Sequence, residues 1–172
     1  MRQLWAPWRL EYIQAQKPDG CFLCAAAAAE DDEAALVVYR GHRCFVVLNR
    51  FPYNAGHVMV VPRAHRARIA ELEDADALEL LRLVDRTIEV MDRVFRAEGF
   101  NVGLNLGRAA GAGVEDHVHV HVVPRWAGDT NFMPVLVDVK VMPEHLRTTR
   151  RHLAQGFAGL PAQQILSAPG QG

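Results

Sequence analysis

The chain has 172 residues, half of them hydrophobic and 23% charged, which suffices for one domain with its own core and is too short for two. Nineteen basic residues against twenty acidic ones leave a net charge of −1, which excludes the basic excess that nucleic-acid backbone binders carry. No apolar run approaches bilayer length, the start MRQLWAPWRLEYI lacks a signal-peptide pattern, and the three cysteines are an odd number; these features point to a reduced cytoplasm, without membrane or disulfide framework.

Residues 1–35 read as an N-terminal arm. Trp5, Trp8, Leu10, Tyr12 and Ile13 are apolar anchors broken by Pro7, suited to docking on the core or on a partner subunit. Cys21 and Cys24 follow at C-x₂-C spacing. Residues 25–35 are low in complexity, either a short helix or a linker. Strand patterns run from Leu36 to Tyr39, Cys44 to Leu48 and Val58 to Val61, the last stopped by Pro62. Between 67 and 98 the period changes. Leu78, Leu81, Val84, Ile88, Met91 and Phe95 recur at steps of three or four, which predicts an amphipathic helix from Asp74 to Gly99 with that face inward. Strands from Phe100 to Leu106 and Val118 to Val123 follow. A last helix opens at Pro143 and ends near Gln155, and residues 156–172 read as a flexible tail. The sum is an antiparallel sheet with helices against it, an α+β domain over 36–155.

The informative residues are His117, His119 and His121 in HVHVHVVP. With 8 histidines in the chain, composition alone yields roughly 0.02 such alternating triplets, so the motif carries meaning. On a strand the three imidazoles share a face, and Val118, Val120 and Val122 point into the core. A solvated polar face, a mononuclear metal site and nucleophilic catalysis are the competing readings. Neighbouring rings start about 6.6–6.8 Å apart and the outer two about 13 Å apart, too far for one metal to gather all three. A neutral imidazole, by contrast, is a competent nucleophile at neutral pH. The small-residue loop GRAAGAG at 107–113 enters the same strand and lets backbone N–H groups approach an anion. Cys21 and Cys24 suit two positions of a four-ligand zinc site, whereas Cys44, within a strand, suits the core. Arg125 and Trp126, just after the triad strand, suit a distal phosphate and a base respectively, or a surface charge and packing. His42, His145 and His152 sit in polar stretches and read as surface residues.

HVHVHVV resembles the histidine-triad family pattern, His-φ-His-φ-His-φ-φ with φ apolar. NRFPYNAGHVMVVPRAH (49–65), FNVGLNLG (from Phe100) and HVVPRWAGDTNFMPV (121–135) are similar to the bacterial branch that contains diadenosine tetraphosphate phosphorylases and hydrolases. The resemblance covers residues 36–153. It implies a five-stranded antiparallel sheet with two main helices, pairing into a homodimer. It implies that His119 is the nucleophile taking up a nucleotidyl group, that His121 contacts the phosphate, and that His117 supports the site. It places Asn49 at the ribose, His57 in support of the triad, and Asn105, Ala112 and Gly113 at the phosphates. It also completes a structural zinc site with His65 and His117 beside Cys21 and Cys24. Magnesium would enter with the substrate, since no dedicated carboxylate cage is present. Ala112 and Gly113 stand where many relatives carry Ser, Thr or Gln, so a side-chain donor is missing there. The implied activity is cleavage of a dinucleoside polyphosphate through a nucleotidyl-histidine, released by water or phosphate. Its rivals are a non-catalytic nucleotide-binding scaffold, a nucleoside phosphoramidate or adenylyl hydrolase, and a metalloenzyme built on the histidine row.

Overall fold

The computed structural model describes residues 20–129 and 145–160. Five strands form one antiparallel sheet: β1 (Val37–Arg40), β2 (Cys44–Leu48), β3 (Val58–Pro62), β4 (Gly99–Gly103) and β5 (Val120–Arg125), in the order β1-β2-β3-β5-β4. Three helices accompany it: α1 (Phe22–Ala28), α2 (Asp74–Phe95) and α3 (Leu146–Ala158). The α+β architecture and the antiparallel pairing match the sequence reading. No helix among the described residues is long and apolar enough to cross a membrane. The arm at 1–19, the opening at Pro143 and the tail beyond residue 160 lie outside the described residues.

The valine runs of β2, β3 and β5 supply the core. Phe45, Val46, Val58, Val60, Val61 and Val122 have no solvent exposure, because the stiff β-branched side chains pack well on a pleated surface. Helix α2 covers one face of this sheet. Its buried face keeps the predicted Val84 and Met91, with Ile88 and Phe95 partly buried, and departs from the prediction in the first two turns. Leu78 and Leu81 are exposed, whereas Asp76, Glu79, Leu80, Leu83, Arg86, Thr87 and Val90 are buried. The acids turn inward because the hairpin between β1 and β2 leaves donors there. Glu79 Oε1 accepts from the N–H groups of Arg43 and Cys44 at 2.9 and 3.0 Å, and Asp76 accepts from the Arg43 guanidinium at 2.8 Å. Buried carboxylates need such partners, and they displace the apolar stripe by part of a turn.

Strand β4 is displaced too: it runs Gly99–Gly103, not Phe100 to Leu106, while β5 runs to Arg125. Helix α3 continues beyond Gln155 to Ala158, so residues 156–158 belong to the helix and not to a tail. Gly156 is a packing site there. A Cβ on it would meet the Val90 and Val94 methyls of α2 at 2.7 Å, so only glycine lets the two helices approach this closely. Phe157 is buried one residue further on and stacks on Tyr39 at 4.8 Å. Gly156→Val is therefore expected to lower the unfolding free energy by about 1–3 kcal/mol through overpacking, read from denaturant titration of the native and variant chains.

Candidate active site and metal centre

Alternation along β5 sends Val118, Val120 and Val122 into the core, all 5% exposed or less. The triad histidines project from the opposite face. Regular strand geometry begins only at Val120, so His117 and His119 precede it, and the evenly spaced row expected of a strand is replaced by three different settings. Rings of His119 and His121 are 4.9 Å apart, closer than strand spacing sets them.

His117 is fully buried. Its Nε2 donates to the Pro62 carbonyl at 2.8 Å. A neutral ring has one donor and one acceptor, so Nδ1 presents a lone pair. That nitrogen faces Cys21 Sγ at 3.3 Å and Cys24 Sγ at 3.4 Å. His119 Nδ1 donates to the His117 carbonyl at 2.8 Å, which leaves the lone pair on Nε2. His121 Nδ1 lies 2.9 Å from His57 Nε2. His57 is fully buried, and its Nδ1 receives the Tyr53 N–H at 3.0 Å and the Asn49 amide at 3.3 Å. Two donors on Nδ1 keep it unprotonated, so Nε2 carries the hydrogen and donates to His121 Nδ1. His121 then carries its own proton on Nε2; Asn105 Nδ2 lies 3.5 Å away, and an N–H there requires that amide to turn its oxygen to the ring. One lone pair and one N–H therefore lie on neighbouring rings, at His119 Nε2 and His121 Nε2.

Burial holds the imidazoles neutral. It pushes His119 below the ordinary value against the hydrogen bond to the His117 carbonyl, and it lowers His117 likewise. His121 is pushed down to about 4, first by burial and then by His119.

The predicted metal ligands converge. Cys21, Cys24, His65 and His117 bring their ligand atoms within 4.8 Å of one another, and Cys24 Sγ lies 3.2 Å from His65 Nδ1. Tetrahedral zinc with two sulfur and two nitrogen ligands sets neighbouring ligand atoms about 3.3–3.8 Å apart, so this donor set can hold such an ion. Burial and Cys21 push the Cys24 thiol up; a bound cation would reverse that by favouring the thiolate. Cys21 stands at the start of α1 and Cys24 lies within it. Arg40 fixes the far end of this helix, donating to the carbonyls of Ala26, Ala27 and Ala29 at 2.7–3.0 Å. Among the triad histidines only His117 joins the cluster, which sets aside a metal held by the whole row. Cys44 is buried with its thiol pushed up to about 12, as expected of a core residue.

The other predicted contacts divide. His57 stands beside His121, Asn49 contacts His57, and Asn105 borders His121. The Ala112 N–H is engaged by the Gly107 carbonyl at 3.3 Å, within the same small-residue loop as Gly113. Arg125 reaches along the histidine face but is paired with the Asp129 carboxylate and with Asn101 Oδ1 at 2.7 Å. Trp126 lies on the helix side, away from the triad. Its indole donates to the carbonyls of Phe95 and Arg96, and it lines a cavity of about 440 Å³ with Gly56, Val94 and His152. Sequence reading missed Tyr53, whose contribution is a backbone N–H and leaves no residue-type signal. It also missed Asp129, which accepts from Asn54, Arg125 and Trp126 and ties the loop before His57 to the end of β5.

The HIT domain family model matches residues 30–128. The AP-4-A phosphorylase of Mycobacterium tuberculosis is 42% identical over 169 residues, covering 94% of this chain and 87% of that protein. The asymmetrical bis(5'-nucleosyl)-tetraphosphatase of Schizosaccharomyces pombe is 34% identical over 93 residues, 54% of this chain and 50% of that protein. Two solved structures share the fold at 22% identity. A Zn-bound histidine triad family protein from Mycobacterium smegmatis superposes with a TM-score of 0.64 over 81% of this chain and 94% of that one. A histidine triad nucleotide-binding protein from Sulfolobus tokodaii gives 0.67 over 87% and 100%. The chain belongs to the histidine triad (HIT) family.

The depressed His121 value has a consequence for stability. The unfolded imidazole takes up its proton near pH 6.5, before the folded one does. The contribution of neutral His121 is full above about pH 6.5 and is lost as pH falls from there towards 4. The groups facing it are His57, His119, Tyr53 and Asn105. Thermal midpoints between pH 7 and pH 4 are expected to fall more steeply for the native chain than for His121→Asn.

Proposed function

We propose that the protein cleaves a dinucleoside polyphosphate such as diadenosine tetraphosphate by two nucleotidyl transfers, with inorganic phosphate as the final acceptor. The carrying observation is the hydrogen bond from His119 Nδ1 to the His117 carbonyl, which leaves the lone pair on His119 Nε2 beside the His121 ring. In the first step His119 Nε2 bonds to the α-phosphorus, and the bond from phosphorus to the bridging oxygen breaks. The departing nucleotide takes that bonding pair, and the His121 N–H stabilises the charge on oxygen. In the second step a phosphate oxygen bonds to the same phosphorus and the P–N bond breaks, which frees His119. Two easier displacements replace one hard one. The 42% identical AP-4-A phosphorylase supports this choice of substrate and acceptor. Asn49, Asn105 and the backbone of the loop holding Ala112 and Gly113 would bind the nucleotide, with magnesium arriving on the polyphosphate. Arg125 and Trp126 have no part in this reading, because both are engaged elsewhere.

The metal in the Cys21, Cys24, His65, His117 site is zinc on this reading. Four protein ligands leave no open position, so the ion would act as a cross-link that fixes His117. A second copy of the chain would pair along the edge strand β4 and the segment that follows it, where Val102, Leu104 and Leu106 are 46%, 36% and 56% exposed. Apolar side chains along an open strand edge call for cover. A neutral chain with a nucleotide substrate fits the cytoplasm.

Incubation of the purified protein with diadenosine tetraphosphate is expected to give ADP and ATP only when phosphate is present. AMP and ATP without phosphate would replace phosphate by water as acceptor. His119→Ala is expected to abolish turnover while keeping nucleotide binding, and unchanged turnover in that variant would overturn the reading. Sedimentation equilibrium is expected to read twice the monomer mass for the native chain and less for Leu106→Asp.

A further inference from the structure

Asp116 immediately precedes His117, and its Oδ2 lies 3.4 Å from His65 Nε2. His65 turns its other nitrogen, Nδ1, to Cys24 Sγ at 3.2 Å. A ring that offers its lone pair at Nδ1 carries its proton on Nε2, the nitrogen nearest the carboxylate. His117 is arranged in the same way, with Nδ1 towards the cysteines and Nε2 on the Pro62 carbonyl at 2.8 Å. His117 thus has a hydrogen-bonded acceptor behind it, and His65 has a carboxylate oxygen within 3.4 Å. The difference lies in exposure. His117 is fully buried and held by packing, whereas the His65 side chain is 42% exposed. Torsion about the bond to an imidazole ring is soft, so an exposed ring needs an external partner to stay in one plane.

We propose that Asp116 is a positioning residue for the metal centre: it accepts the His65 Nε2–H, holds that ring in the Nδ1-ligating tautomer and fixes its plane. The inference rests on the zinc reading above and adds a residue to it. The dipeptide Asp116–His117 then supplies one ligand and the support of another. The geometry is set from outside the pair, because the Val118 N–H donates to the Arg66 carbonyl at 2.6 Å and holds the segment 65–66 against the segment 116–118. Asp116 itself is 69% exposed, so its attraction to a distant charge is screened and worth little. Its effect is orientation, and it falls on metal retention. Nothing in residue type marked Asp116 out, since a carboxylate before a histidine is common.

The test is zinc competition against a chromophoric chelator, using the full chain and the variants Asp116→Ala, Asp116→Asn and Glu115→Ala. Loss of the acceptor is expected to weaken zinc binding about 10–100-fold in Asp116→Ala. A smaller loss is expected in Asp116→Asn, whose amide oxygen still accepts. Glu115→Ala removes a neighbouring carboxylate that pairs with Arg108 at 2.9 Å, and native zinc affinity is expected there. Nitrogen-15 NMR of the zinc-loaded chains is expected to show a single His65 tautomer in the native protein and a mixture in Asp116→Ala. Native affinity in Asp116→Ala would overturn the proposal and leave the centre standing. An equal loss in Glu115→Ala would overturn it in favour of net charge. Absence of zinc binding by the native chain would overturn the centre itself and the proposal with it. Circular dichroism shows whether each variant folds; if Asp116→Ala does not, the comparison of Asp116→Asn with Glu115→Ala decides.

Discussion

The hydrogen bond from His117 Nε2 to the Pro62 carbonyl is the constraint on which the site depends. Pro62 ends β3 and has no N–H to offer, and the ladder with β5 stops at the Val60–Val120 pair. Beyond that point the two chain segments would part. The His117 ring fills the gap and takes the carbonyl as its acceptor. A fully buried imidazole must place both nitrogens, so the second one is directed at Cys21 and Cys24. The main chain at His117 is fixed by the same bond, and its carbonyl then sets the ring of His119. The Pro62 carbonyl thus orients His117, and the His117 carbonyl in turn leaves Nε2 of His119 bare.

A second chain of hydrogen bonds reaches the triad from the other side. It starts at the backbone of Tyr53, passes through both nitrogens of His57 and ends on His121. At its end burial keeps His121 neutral by disfavouring the imidazolium. The two chains meet at neighbouring rings with opposite outcomes, an acceptor on His119 and a donor on His121. Phosphoryl chemistry needs both, a pair of electrons for phosphorus and a proton donor for the oxygens that gather charge. Asp129 contributes at a distance, since its carboxylate holds Asn54 and so the turn that presents Tyr53 and His57.

Sequence carried the histidines, the C-x₂-C pair and the strands because each has a short-range signature. Alternation of His with Val is visible at period two, although burial does not alternate with it, since His117 and His119 are as buried as Val118 and Val120. The metal set needed the resemblance to supply His65 and His117, because no local pattern links positions 21 and 117. The face of α2 was misread for a physical reason. Glu79 and Asp76 look like surface charges in a helical pattern, yet they close the donors of the β1–β2 hairpin, and a partnered carboxylate can be buried where a lone one cannot. The end of α3 was misread because glycine in a helix usually weakens it; at Gly156 the contact with Val90 and Val94 outweighs that cost.

Arg125 shows how composition and position can mislead about chemistry. An arginine just beyond the triad strand invites a role with the distal phosphates. All three of its guanidinium nitrogens are instead committed to Asp129 and Asn101. Releasing it would leave a mostly buried carboxylate short of its main partner, and Asn54 and the Trp126 N–H depend on the same oxygens. Moving the cation to a substrate would therefore loosen the turn that holds His57. The fold spends its cation on geometry, and under the proposed reaction the charge of the substrate would fall to backbone donors, to His121 and to a metal carried by the polyphosphate.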